Sequence, residues 1–173
     1  MKNKFFNHEI CVCAHLTQTR SAQRTCAEMG KTMTQIIYLT EAETKRLEAL
    51  ERRYRNAARA QLERRVAYYH RLTGGRYTSI TVRDQKTRWG SCSSRGTLSF
   101  NYRLIFAPPA VLDYVVVHEL CHLTHMNHSK DFWNMVGTIM PDYAVHKKWL
   151  REHGHELTLE HYLEAKGIPI QIS

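Results

Sequence analysis

No apolar run in this chain approaches the roughly 20 residues that a membrane-spanning helix needs. The stretch from Ile10 to Leu16 is too short, and His8 and Glu9 precede it, which argues against a signal peptide. No P-loop is present, so a phosphate-cradling role would rest on charge alone. The five cysteines form no paired framework and read as reduced thiols in a cytoplasmic protein. Acidic residues are in deficit, 16 against 25 Lys and Arg, for a net charge of +9. That excess suits nucleic acid or acidic partners, and it equally suits a solvated surface. What remains is enough for one domain: 173 residues, of which 43% are hydrophobic.

The chemistry concentrates at His118-Glu119-Leu120-Cys121-His122, inside the apolar run from Val111 to Leu123. On a helix, residues four apart share a face, so His118 and His122 can point at one metal ion. Glu119 lies one step round and can act as a base towards water at that ion. The pattern H-E-x-x-H therefore carries two zinc ligands and a general base on one rigid element. Burying three such side chains in an apolar helix is costly unless a metal or partners hold them. A catalytic zinc takes a third protein ligand. His128 fits if the helix ends after His122 and the chain turns back. Asn127 suits such a turn and Ser129 suits the cap of a following helix. His125 is the rival, since it would share the face of His122 if the helix continued.

Residues 1–32 show no period and read as a disordered leader, with Met33 a candidate start. Cys11, Cys13, Cys26, His8 and His15 lie there, but Cys-x-Cys is not a usual zinc spacing. Residues 33–173 read as a single domain. Thr40 with Glu43 forms a capping-box pattern, and a long helix should run from there to about Leu72, ended by Gly74-Gly75. Its apolar stripe is Leu47, Leu50, Tyr54, Ala58, Leu62, Val66 and Tyr69. Its other faces carry Arg52, Arg53, Arg55, Arg59, Arg64, Arg65 and Arg71, either a solvated surface or a weak grip on nucleic acid.

Alternation then predicts strands around Thr78–Val82, Thr87–Cys92 and Leu98–Tyr102, with a turn at Ser93-Ser94-Arg95-Gly96. The expectation is a small antiparallel sheet with one face on the core. Its Leu98–Asn101 strand, if at the edge, could accept an extended peptide. Pro108-Pro109 opens a buried helix over Ala110–Thr124. Further helices follow from Ser129 to Pro141, from Asp142 to Gly154, and around Leu157–Leu163. Gly167–Ser173 reads as a tail.

With Arg88-Trp89-Gly90-Ser91-Cys92, Leu98-Ser99-Phe100-Asn101, Pro108 to His122, Asn127-His128-Ser129, Phe132-Trp133 and Pro141-Asp142-Tyr143 in view, the chain resembles the YgjP-like metallopeptidases. These are related to SprT-like zinc proteases, and the resemblance covers about residues 76–153. It implies an α+β, zincin-like fold, with zinc at His118, His122 and His128 and Glu119 as base. The spacing from His122 to His128 is also similar to that of metzincins, although His125 stands where those have glycine. Kinship with SprT-like proteases further suggests DNA as a partner. Family members often carry a β-rich segment ahead of the long helix, and the residues before Thr40 do not read that way.

The expected function is zinc-dependent hydrolysis of a peptide bond, with Tyr143 or His125 as candidates to help hold an oxyanion. Two rivals stand beside it. One keeps the zinc and cleaves a nucleotide phosphoanhydride. The other is a nucleic-acid-binding module with structural zinc, which leaves Glu119 without a duty. Oligomeric state is not legible.

Overall fold

A computed structural model describes residues 41–167. The expected leader, its cysteines, the Thr40 cap and the tail beyond Gly167 lie outside the described residues.

Helix α1 spans Glu41–Thr73. At 33 residues it is about 50 Å long. Ala58, Leu62, Val66 and Tyr69 bury one stripe of it, as the spacing predicts. Gly74 and Gly75 end it at φ +68 and +78, where a side chain would be strained. Gly75 also lies so close to Leu123 that a Cβ there would sit 2.7 Å from the Leu123 Cβ. The end of α1 thus rests on the segment that follows the histidine motif. The arginine face is partly spent on structure. Arg55 pairs with Glu51 at 2.7 Å. Arg65 donates from two nitrogens to the carboxylate of Asp113, a buried residue on the next long helix. The Tyr69 hydroxyl donates to the same carboxylate at 3.2 Å. Removing one member of such a buried set leaves a charge uncompensated, so Arg65 acts as a clasp between helices. Arg52, Arg53, Arg64 and Arg71 remain exposed.

Three strands follow: β1 Ser79–Arg83, β2 Gly90–Cys92 and β3 Thr97–Asn101. The order is β1-β3-β2. β2 and β3 form the expected antiparallel hairpin, but β1 runs parallel to β3, so the sheet is mixed rather than antiparallel. Alternation reports which face is buried and not which strand is the neighbour. Here the segment after β1 crosses the end of the sheet before β2 begins. The buried Asn101 holds that crossing: its side-chain amide donates to the carbonyls of Gln85, at 2.7 Å, and Arg88, at 3.3 Å. β3 therefore lies in the middle, with Leu98 and Phe100 fully buried, so the condition on which it could accept an extended peptide is not met. The edge strands are β1 and β2.

A 3-10 helix over Tyr102–Phe106 leads to α2, Pro109–Cys121. Pro109 starts α2, where a missing N–H costs nothing. Val111, Leu112, Tyr114, Val115, Val116, Val117 and Leu120 are buried all round it, so α2 is the central helix. It packs against α1 and β2, and against α3 (Lys130–Ile139) and α4 (Tyr143–His153). Ser129 caps α3 by accepting from the Phe132 N–H at 3.4 Å. Asp142 precedes α4 but makes no cap bond; its carboxylate accepts from His146 Nε2 at 3.0 Å instead. A last helix, α5, covers Leu159–Ala165. The architecture is α+β: a small sheet beside a buried helix, with a long helix before it and short helices after.

Candidate metal centre

α2 carries His118 and Glu119 in its last turns and stops at Cys121. The N–H groups of Thr124 and His125 both turn back to the Cys121 carbonyl, at 3.2 and 3.0 Å. The helix therefore ends where the third-ligand argument requires, and His128 arrives on the connector just before α3. His118 Nε2 lies 3.2 Å from His122 Nε2 and 3.0 Å from His128 Nε2. The three ligand nitrogens all fall within 4.8 Å of one another. Zinc–nitrogen bonds of about 2.0–2.1 Å in a tetrahedron place nitrogens about 3.3 Å apart. The two spacings from His118 are close to that value, so the donor set suits an ion of about that size.

Protonation favours the same use. Burial, with His122, His128 and Lys147 adding like charge, pushes His118 down to about 3. Burial also lowers His122. Neutral rings keep a lone pair for a metal. The Nδ1–H of His122 donates to the His125 carbonyl at 2.9 Å, which leaves Nε2 free to ligate. His125 thus serves the centre through its backbone, and its side chain is outside the nitrogen cluster. His118 Nδ1 is buried without a protein partner. Packing holds that ring instead: Phe132 lies 4.9 Å from it, Trp133 5.8 Å and Tyr114 5.9 Å between centroids. Phe132 also stacks on His122 at 4.5 Å.

Glu119 is 5% exposed, and burial pushes its carboxyl up to about 8. β2 lies directly on it. A Cβ at Gly90 would sit 2.5 Å from Glu119 Oε1 and 2.7 Å from its Cγ. Gly90 thus leaves room for the Glu119 side chain by having none of its own. A glycine inside a strand is the sequence signal for such a close approach. We expect Gly90→Ala to keep its metal, because the side chain that the added Cβ would meet is Glu119 and not one of the three histidines. Hydrolysis should fall about a hundredfold, the scale of a displacement near 1 Å at a reacting group. Metal content and thermal melting, measured beside peptide turnover, check this. Unchanged turnover would show that the close contact is mere packing.

Trp133 is half-buried. It stacks on His128 at 5.6 Å and 21°, and on Tyr143 at 5.3 Å and 19°. Tyr143 is thus engaged in a stack. Among the described residues, Cys92 and Cys121 are free thiols, and burial pushes them up to about 11 and 12. Neither is a ready nucleophile.

No helix among the described residues is long and apolar enough to cross a membrane. A crystal structure of the metallopeptidase zymogen abylysin from Pyrococcus abyssi is similar at a TM-score of 0.47 and 20% identity, over 53% of this chain and 93% of that one. A comparison with curated proteins finds no match. The family model described as YgjP-like, metallopeptidase domain matches residues 4–153, a span that includes the three convergent histidines and Glu119. The chain accordingly belongs to the YgjP-like metallopeptidases.

Proposed function

We propose that this metallopeptidase uses zinc, held by His118, His122 and His128, and that Glu119 is its general base. The observation that carries the reading is the convergence of three imidazole Nε2 atoms one helical step from a buried carboxylate. A structural site closed by four ligands would give Glu119 no task. A zinc ion so held supplies Lewis acidity, which acidifies water and polarises a carbonyl. The positive charge of an ion held by the three neutral rings would favour the carboxylate form of Glu119 against its burial. Glu119 then takes a proton from the attacking water and delivers it to the departing nitrogen.

The substrate chain has a place to lie. The Asn101 N–H donates to the Trp89 carbonyl, and the Ser93 N–H donates to the Thr97 carbonyl. Antiparallel bonding alternates, so Gly90 and Cys92 direct their backbone groups to the outer edge of β2. An extended peptide added there would pass beside Glu119.

Casein, UTP and DNA should be offered in parallel to the purified protein, with and without a chelator. Hydrolysis of casein alone, abolished by the chelator and restored by zinc, is expected. Turnover of UTP without casein cleavage would replace this reading with phosphoanhydride hydrolysis.

A further inference from the structure

α4 brings a lysine to the rim of the histidine cluster. Lys147 Nζ sits 4.1 Å above the centroid of the Trp133 ring. That ring stacks in turn on His128 and lies 5.8 Å from His118.

Several cations of the fold are paired: Arg55 with Glu51 and Asp84, Arg59 with Glu63, Arg65 with Asp113, and Arg103 with Asp84. Lys147 is exposed and has no carboxylate partner among the described residues. The one acidic group at the start of its helix, Asp142, is taken by His146. The aromatic face holds the ammonium by a cation–π contact that leaves its donors directed away from the ring. Such a group is a positive charge held beside the histidine cluster, which selects for a negative one.

We propose that Lys147, fixed on Trp133, binds a carboxylate of the peptide substrate and so sets a preference for acidic peptides. The inference rests on the peptidase reading. It concerns recognition: the lysine would orient substrate across the Trp133 wall and take no part in proton transfer. An acidic side chain and a free C-terminus offer the same chemistry, and the two must be separated by experiment.

The test uses binding and turnover on the same zinc-loaded protein. Alanine-based octapeptides carry one Glu, or the matched Gln, at each position in turn, with free-acid or amidated C-termini. Their affinity for the zinc-loaded Glu119→Gln protein is measured by calorimetry, and their cleavage by the wild type is followed separately. At one Glu position, or at the free C-terminus, binding should be about tenfold tighter than for the uncharged match, the scale of a hydrogen bond to a charged group. Adding Lys147→Ala should remove that preference, and adding Lys147→Glu should invert it towards a Lys-bearing peptide. A preference for Glu peptides places the carboxylate within the chain; a preference confined to free-acid termini places it at the end. Equal binding of charged and uncharged peptides, or a preference that survives Lys147→Ala, overturns the proposal. So does Lys147-dependent binding of inorganic pyrophosphate without binding of the acidic peptides. Cleavage without acid preference removes the subsite and leaves the peptidase reading standing. Lys147-dependent acid preference in binding, with no cleavage of any peptide or of casein, does the reverse.

Discussion

Glu119→Gln should bind zinc as the wild type does and should hydrolyse peptides about a hundred- to ten-thousand-fold more slowly, the usual worth of general-base assistance. The amide has nearly the shape of the carboxylate, so the packing against Gly90 is kept. It cannot accept the proton of water. In the metal-free protein the substitution has a second consequence. Burial raises the Glu119 carboxyl from 4.5 to about 8. The folded state therefore holds this proton where the unfolded chain has lost it. This group's contribution to stability is whole below about 4.5 and is lost as pH rises towards about 8. Glutamine has no such loss. At pH 8 the metal-free variant should melt at or above the wild-type temperature. Activity, metal content and melting are to be measured on one preparation. Wild-type turnover in Glu119→Gln would sink the proposed mechanism. Loss of zinc would mean that Glu119 is a ligand, and the donor set would have to be redrawn.

The second large effect concerns the metal itself. The wild type should hold one zinc per chain. His118→Ala, His122→Ala and His128→Ala should each lose it or bind it far more weakly, and hydrolysis should fail with the metal. His125→Ala should retain the ion, because His125 contributes a carbonyl to the His122 ring and not an imidazole to the cluster. Metal analysis after dialysis against a weak chelator distinguishes the four variants. Full retention by His128→Ala together with loss in His125→Ala would make His125 the third ligand. The loss should leave the fold in place: the core around α2 is built from Val, Leu and Phe side chains that do not depend on the ion.

Much of this molecule is legible in the one-dimensional pattern, for physical reasons that are local. A period of 3.6 in α1, a proline at the start of α2, and a serine before α3 each act within one turn of the chain. The H-E-x-x-H spacing belongs to the same class, because helix geometry alone puts His118 and His122 on one face. The convergence of His128 was also readable, since the residues that end a helix and cap the next one are neighbours in sequence.

Tertiary structure decided what depends on pairing between distant segments. No alternation in Ser79–Arg83 could reveal that β1 lies parallel to β3, or that β3 is interior. That follows from the crossing held by Asn101, a long-range contact. Arg65 looked like one more surface arginine until α2 brought Asp113 to it. Gly90 acquired its role only when β2 came to rest on Glu119, and Lys147 only when α4 set it over Trp133. By itself the sequence determined the elements and the helix that carries His118, Glu119 and His122, because those are set by interactions within a few residues. The neighbours of the Glu119 carboxylate and of Lys147 were left to the packing of remote elements, which side-chain volume and buried polar bonding select together.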